Sequence, residues 1–241
     1  MVLTSQSVQR LAKDVKYIKN NPLTNIYYKH DEENILFGYA LIIGKEGTPY
    51  EYGYYLFKFE FPENYPFQPP NVKFLTNDGV IRFNPNLYTN GLICLSILNT
   101  WKGDGWTSCQ TIHSILLVLS SILNEKPLLN EPGVCEYNIN IEMYNTLIFY
   151  KNIEFAILKQ FEIIMDFIEK ENILYKFKLE IYDNFIKNKL KIYDNIKKIK
   201  LNKIYDNNEV NFFMYKMIIK LNSEKLYNNF YNICEKYNIT I

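Results

Sequence analysis

The sequence predicts an α+β fold in which helices cover one antiparallel sheet, and three observations lead there. A helix-period stripe opens the chain, a block of strand-like runs joined by glycine-rich turns follows, and helix-period patterning returns beyond residue 107 and dominates from about residue 140. With 241 residues the chain can form one sizeable domain plus an appendage, or two small domains.

The first helix is expected to run to about Ile18, with Ser5 or Ser7 as its cap. Val8, Leu11, Val15 and Ile18 recur at three- and four-residue spacing and make one buried stripe, and Asn20-Asn21-Pro22 ends it. Strands are expected over Ile35–Ile43 and Tyr54–Phe61, with Gly44–Gly53 as their hairpin connection. Tyr55, Phe57 and Phe59 alternate onto one face, Leu56 and Lys58 onto the other. Val72 and Phe74 mark a third short strand. Between these strands lies Phe61-Pro-Glu-Asn-Tyr-Pro-Phe-Gln-Pro-Pro70. Its four prolines exclude a helix interior and a central strand and leave a stiff loop, anchored by Tyr65 and Phe67.

Residues 78–105 read as non-regular chain, punctuated by Gly79, Pro85, Asn86, Gly91, Gly103 and Gly105. A buried central helix is expected over Thr107–Leu123, capped by Thr107 or Ser108, with Ile112, Ile115, Leu116, Leu119, Ile122 and Leu123 as a broad apolar face. Pro127 and Pro132-Gly133 bound a further loop. Beyond it Ile153, Ala156, Ile157, Phe161, Ile164 and Phe167-Ile168 form one stripe. The word Ile-Tyr-Asp-Asn then recurs at 181–184, 192–195 and 204–207. Eleven residues make about three helical turns, so the repeat is either one face of a helix or low-complexity drift.

Composition narrows the function classes. The formal net charge is +1, and residues 151–241 hold lysines interleaved with acids and no arginine. That is the pattern of a solvated helical face, so no nucleic-acid binding is expected. Cys94, Cys109, Cys135 and Cys234 form no C-x-x-C pair, and His30 and His113 complete no zinc spacing, so no metal is expected. No run approaches the length of an apolar membrane span and no signal-peptide pattern opens the chain. The expectation is an intracellular protein, cytoplasmic or nuclear or both, with reduced cysteines and no membrane contact.

Several motifs stand in a shared order. Gly47-Thr48-Pro49-Tyr50, Tyr65-Pro-Phe-Gln-Pro-Pro70, Asn84-Pro-Asn-Leu-Tyr-Thr-Asn-Gly-Leu-Ile-Cys-Leu95, Trp106 with the helix after it, and Asn130-Glu131-Pro132 follow one another over residues 5–150. Together they resemble the ubiquitin-conjugating (E2) enzyme family. Arg82-Phe-Asn-Pro-Asn-Leu-Tyr88 followed by Cys94-Leu-Ser-Ile-Leu-Asn-Thr-Trp101 is similar to the large-E2 branch that includes the giant hybrid E2/E3 inhibitor-of-apoptosis protein. The resemblance implies a four-stranded antiparallel sheet flanked by helices. It implies a catalytic domain over residues 1–168 and leaves 169–241 as a helical C-terminal extension.

It also implies a site. Cys94, eight residues after Asn86, becomes the carrier of ubiquitin as a thioester, with Asn86 and Glu131 as further catalytic candidates and Asn84, Pro85, Tyr88 and Trp106 on the active-site loop. Arg10, Pro66, Phe67 and Ser108 become candidates for E3 binding. The implied partners are ubiquitin, an E1 activating enzyme, an E3 ligase and protein substrates. No cofactor is implied, because the E1 and not this protein consumes ATP. Two positions depart from the family: Asn84 stands where most members have histidine, and Ser108 where many have proline.

The chemistry asked of Cys94 is the exchange of one thioester for another, which needs neither a metal nor a strongly acidic thiol. Lysine attack then forms a tetrahedral centre whose oxygen gains negative charge. Asn86 either donates an amide N–H to that oxygen or holds the loop through backbone hydrogen bonds. By its position in the family motif, Glu131 is implied as the candidate to orient, or help deprotonate, the incoming lysine. Rival readings are a non-catalytic scaffold of the same fold that binds ubiquitin or an E3, an unrelated cysteine hydrolase, and a helical structural protein.

Overall fold

The computed structural model describes residues 5–167, 173–202 and 208–241. Helix α1 (Ser5–Asn20) buries Leu11 completely, and Val15 and Ile18 pack against the core beside it. The helix is already formed at Ser5 and extends past Ile18 to Asn20. Ser7 lies inside it. Its hydroxyl donates to the Glu63 carbonyl at 2.7 Å, which ties α1 to the proline-rich loop.

Four strands form one antiparallel sheet in sequential order: β1 (Ile26–His30), β2 (Phe37–Ile43), β3 (Tyr54–Glu60) and β4 (Asn71–Phe74). The strand pattern of the residues does not reveal β1, because all five of its side chains are half-buried and none alternates. In β3 Tyr55, Phe57 and Phe59 are fully buried on one face, while Tyr54 and Leu56 are buried on the other, so this strand is covered on both sides. The chain between β2 and β3 turns back close to α3 (Asn140–Lys151) and the π-helical turn that follows it over Asn152–Lys159. Gly53 is needed at that approach: a Cβ there would lie 1.9 Å from Asn152 Oδ1. Asn152 is fully buried and satisfied, accepting from the Tyr55 hydroxyl at 2.6 Å and donating to the Glu51 carbonyl at 2.9 Å.

Between β4 and α3 the chain carries α2 (Ile112–Ile122). This helix starts later than expected. Thr111 caps it reciprocally with Ser114, whereas Thr107 and Ser108 lie in the preceding loop, where the Thr107 N–H donates to Gln110 Oε1 at 3.1 Å. The proline-rich loop contains a cis peptide bond between Tyr65 and Pro66.

Beyond the π turn come α4 (Gln160–Asp166), α5 (Lys178–Leu201), a hairpin of β5 (Glu209–Phe212) and β6 (Met217–Lys220), and α6 (Ser223–Lys236). The extension is therefore helical, as expected, with one hairpin set into it. Ile153, Ala156, Ile157, Phe161 and Ile164 are buried as their spacing predicts; Ile168 lies outside the described residues. Two copies of Ile-Tyr-Asp-Asn fall in α5, where Ile181 and Ile192 are both fully buried on one face, and the third, at 204–207, lies outside the described residues. Phe161 stacks at 4.2 Å on Phe185, which in turn meets Phe230, so extension and sheet share one continuous hydrophobic core. Among the described residues no helix is long and apolar enough to cross a membrane.

Candidate functional site

Residues 78–105 contain little regular structure, yet the segment around Cys94 is densely bonded. The Cys94 N–H donates to the Asn86 carbonyl at 2.9 Å, and the Asn86 side-chain amide donates back to the Cys94 carbonyl at 2.7 Å. The two residues thus clamp one another across the intervening loop. Gly91 makes that loop possible with a left-handed φ of 86°; a Cβ there would come within 2.9 Å of the Phe74 carbonyl oxygen.

Asn84 anchors the clamp from below. Its Oδ1 accepts the Asn86 N–H at 3.0 Å, while its Nδ2 donates to the Tyr50 hydroxyl at 3.0 Å and to the Ile122 carbonyl at 2.7 Å. Ile122 ends α2, where carbonyls lack partners within the helix, and Asn130 Nδ2 shares it at 3.0 Å. One amide at position 84 therefore supplies two donors and an acceptor to three elements. An imidazole has only two ring nitrogens and cannot repeat that set, which explains the asparagine. Pro85 is buried beside it.

The Cys94 side chain is 9% exposed, and its thiol donates to the Thr100 carbonyl at 3.3 Å. Thr100 is itself fixed, its hydroxyl accepting from the Leu95 N–H at 2.9 Å and lying 2.7 Å from the Ile93 carbonyl. Burial pushes the thiol pKa above its ordinary value; the Arg82 charge opposes this and the Glu131 carboxylate adds to it. The resting group is consequently the thiol, and ionisation increases as pH rises toward the raised value. Alkylation of Cys94 by iodoacetamide, followed by mass spectrometry, should accelerate about tenfold per pH unit from about pH 7 to 9. A plateau already reached at neutral pH would show that the thiol is not raised.

Arg82 and Glu131 both bound the site. The Arg82 guanidinium lies between two rings, 3.8 Å from the Tyr88 centroid and 4.5 Å from that of Tyr215. It also donates to the Pro85 carbonyl, and the Tyr144 hydroxyl donates to the Arg82 carbonyl at 2.7 Å. The Tyr215 hydroxyl donates to Glu131 Oε2 at 2.7 Å. Tyr215 stands in the turn between β5 and β6, so the C-terminal hairpin reaches this site.

The family model for ubiquitin-conjugating enzymes matches residues 10–152, more than half of the chain. The chain belongs to the ubiquitin-conjugating enzyme family. It is 37% identical over 162 residues to ubiquitin-conjugating enzyme E2 Z of Xenopus tropicalis, covering 66% of this chain and 52% of that one. To the E2 Z of Homo sapiens it is 38% identical over 160 residues, covering 65% and 45%. The chain spans about half the length of these curated relatives. A crystal structure of a ubiquitin-conjugating enzyme E2 from Plasmodium falciparum aligns with 48% of this chain and 96% of its own, at a TM-score of 0.42 and 32% identity.

In this member of the ubiquitin-conjugating enzyme family the remaining expected residues gather into a second cluster. Arg10 of α1 donates to the Ser108 and Gln110 carbonyls and lies over the Tyr65 ring at 5.7 Å. The Trp106 indole N–H donates to the Pro66 carbonyl at 2.6 Å, which places Trp106 with the proline-rich loop. Phe67 projects from the same loop, 63% exposed. Because Arg10 holds Ser108 through its carbonyl, a group that proline also has, the departure at this position leaves that tie available.

Three residues near Cys94 escape a reading of the sequence. Arg82 opens the Arg82–Tyr88 motif, but its stacking between two tyrosines has no local signature. Thr100 acts through a backbone carbonyl, which any residue carries. Tyr215 lies outside the residues the family model covers. Among the described residues no group of three or more His, Cys, Asp or Glu side chains is gathered to hold a metal ion.

Proposed function

We propose that the chain is an E2 ubiquitin-conjugating enzyme that accepts ubiquitin from an E1 as a Cys94 thioester and passes it to a substrate lysine or an E3 ligase. The observation that carries this reading is the reciprocal Cys94–Asn86 clamp, set inside the family-matched segment. The Cys94 thiolate attacks the carbonyl carbon of the E1–ubiquitin thioester and the E1 thiolate leaves. In the second step a lysine amine attacks the Cys94 thioester carbonyl, the Cys94 thiolate leaves, and the amine loses a proton to the surrounding water. Glu131, near enough to act on the thiol electrostatically, orients that amine.

Asn86 is given both roles that its amide allows. One N–H is directed to the Cys94 carbonyl, and the second is available to the oxyanion of the tetrahedral centre. Replacing Asn86 by alanine should leave a chargeable enzyme whose discharge to lysine is slower by about 100-fold, the scale of a lost oxyanion donor. Loss of charging instead would assign Asn86 to the loop alone.

The cluster of Arg10, Pro66, Phe67, Ser108 and Trp106 is the proposed E3-docking face. We propose membership of the large-E2 branch on the wording of Arg82–Tyr88 and Cys94–Trp101 alone. An intracellular site, cytoplasmic or nuclear, follows from the partners proposed. The deciding experiment mixes the protein with E1, ATP and ubiquitin. An adduct one ubiquitin larger, lost on treatment with a thiol reductant, is expected; no adduct under conditions that charge another E2 would reject the reading.

A further inference from the structure

The extension does more at the site than pack beneath it. The Tyr215 ring is held on three sides, lying 5.7 Å from Tyr144, 5.7 Å from Phe212 and under the Arg82 guanidinium. The turn that carries it is closed by Lys216, whose N–H donates to the Phe213 carbonyl at 3.2 Å from a left-handed φ of 53°. Two residues after Tyr215, Met217 is buried, and its sulfur accepts the Arg82 backbone N–H at 3.2 Å. The phenol position is thus set by the hairpin and by Arg82 together. From there its hydroxyl meets one carboxylate oxygen of Glu131.

We propose that Tyr215 is a positioning residue for lysine transfer, holding the Glu131 carboxylate at the thioester through Oε2 and leaving Oε1 to meet the incoming amine. The inference rests on the reading of Glu131 as the group that orients lysine. Glu131 sits at the end of a short 3₁₀ turn, half-buried, with its own N–H bonded to the Leu128 carbonyl at 3.1 Å. Its backbone is therefore fixed, but its side-chain torsions are held only by the phenol among the contacts described. Burial, and after it the bond to Glu131, pushes the Tyr215 pKa far above the usual phenol range, so the hydroxyl stays a donor at every working pH. A carboxylate fixed by one charge-assisted bond is spared the orientational search that a free side chain makes before each transfer. By this route a residue outside the matched family segment acts on the aminolysis step and not on thioester exchange, which involves no amine.

The test uses the full chain, charged with ubiquitin by E1 and ATP and then mixed with free L-lysine after E1 is stopped. Tyr215→Phe keeps the ring against Tyr144, Phe212 and Arg82 and removes only the hydroxyl. Its ratio of discharge rate to charging rate should fall about tenfold, the effect of roughly one lost hydrogen bond to a charged group. Glu131→Ala should lower the same ratio at least as far, and Glu131→Ala with Tyr215→Phe should lower it no further than Glu131→Ala alone, because Tyr215 acts only through Glu131. Phe213→Ala, 82% exposed on the same turn, serves as the control for the hairpin and should match the parent. A parental ratio in Tyr215→Phe would overturn the inference while leaving the E2 reading in place. So would a Tyr215→Phe effect that adds in full to that of Glu131→Ala. Failure of the parent chain to form any thioester would sink the underlying reading itself.

Discussion

Cys94→Ala is expected to abolish the ubiquitin adduct, and Cys94→Ser to replace it with one that survives a thiol reductant. The serine hydroxyl can form an ester at the same carbonyl, but an alkoxide leaves far less readily than a thiolate, so lysine cannot displace it efficiently. Neither change should unfold the loop. Asn86 and Cys94 hold each other through the Cys94 backbone N–H and carbonyl, and neither bond involves the sulfur. The side chain does bond the Thr100 carbonyl, and a serine hydroxyl can donate there as well. The measurement is the electrophoretic shift after charging, with and without reductant, for parent and both variants. Cys109 and Cys135 are exposed and supply an internal check. A reductant-sensitive adduct that persists in Cys94→Ala would transfer the carrier role to another cysteine and remove the basis of the proposed function.

Cys94 was legible for a particular reason. Its neighbours are turn formers that must stand at fixed spacing, and the bond between residues eight apart is local enough for a motif to encode. The same holds for the proline-rich loop, where absent N–H groups exclude regular structure, and for α1, whose stripe faces one core. What escaped was set by long-range contact. Strand β1 is identified by pairing with β2 and not by alternation, since every side chain is half-buried. In β6 the exposed Ile218 between buried Met217 and Ile219 hides the period-two pattern. The link from Tyr215 to Glu131 joins residues 84 apart in the chain, and no spacing rule reaches that far. The site is therefore readable where one loop builds it and unreadable where the extension completes it.

Ending the chain after Lys170 is expected to yield an insoluble protein, because the extension supplies one wall of the common core. Phe161 would lose Phe185, at 4.2 Å, and Tyr237, which meets it edge-on. Tyr150 would lose Asn222, whose N–H donates to its hydroxyl at 2.8 Å. The π turn would lose α6 and α4 would lose α5, and the buried side chains of these two elements include Ile157 and Ile164. Exposing a fully buried aliphatic or aromatic side chain costs about 1.5–3 kcal/mol. Four such side chains then cost roughly 6–12 kcal/mol, set against a typical whole-domain stability of about 5–15 kcal/mol. A loss on this scale removes most or all of the margin, and the uncovered apolar face invites aggregation. Phe185→Ala probes the same wall within the full chain and should cost about 3–5 kcal/mol, measured by denaturant unfolding. Expression and sedimentation of the truncated chain check the larger effect. A truncated protein that stays soluble and still charges with ubiquitin would contradict the packing role, and altered substrate or E3 choice in that protein would make the extension a docking platform. The packing role also explains how Tyr215 can reach the site: only an extension built into the core can hold a hairpin steadily enough to place a single hydroxyl against Glu131.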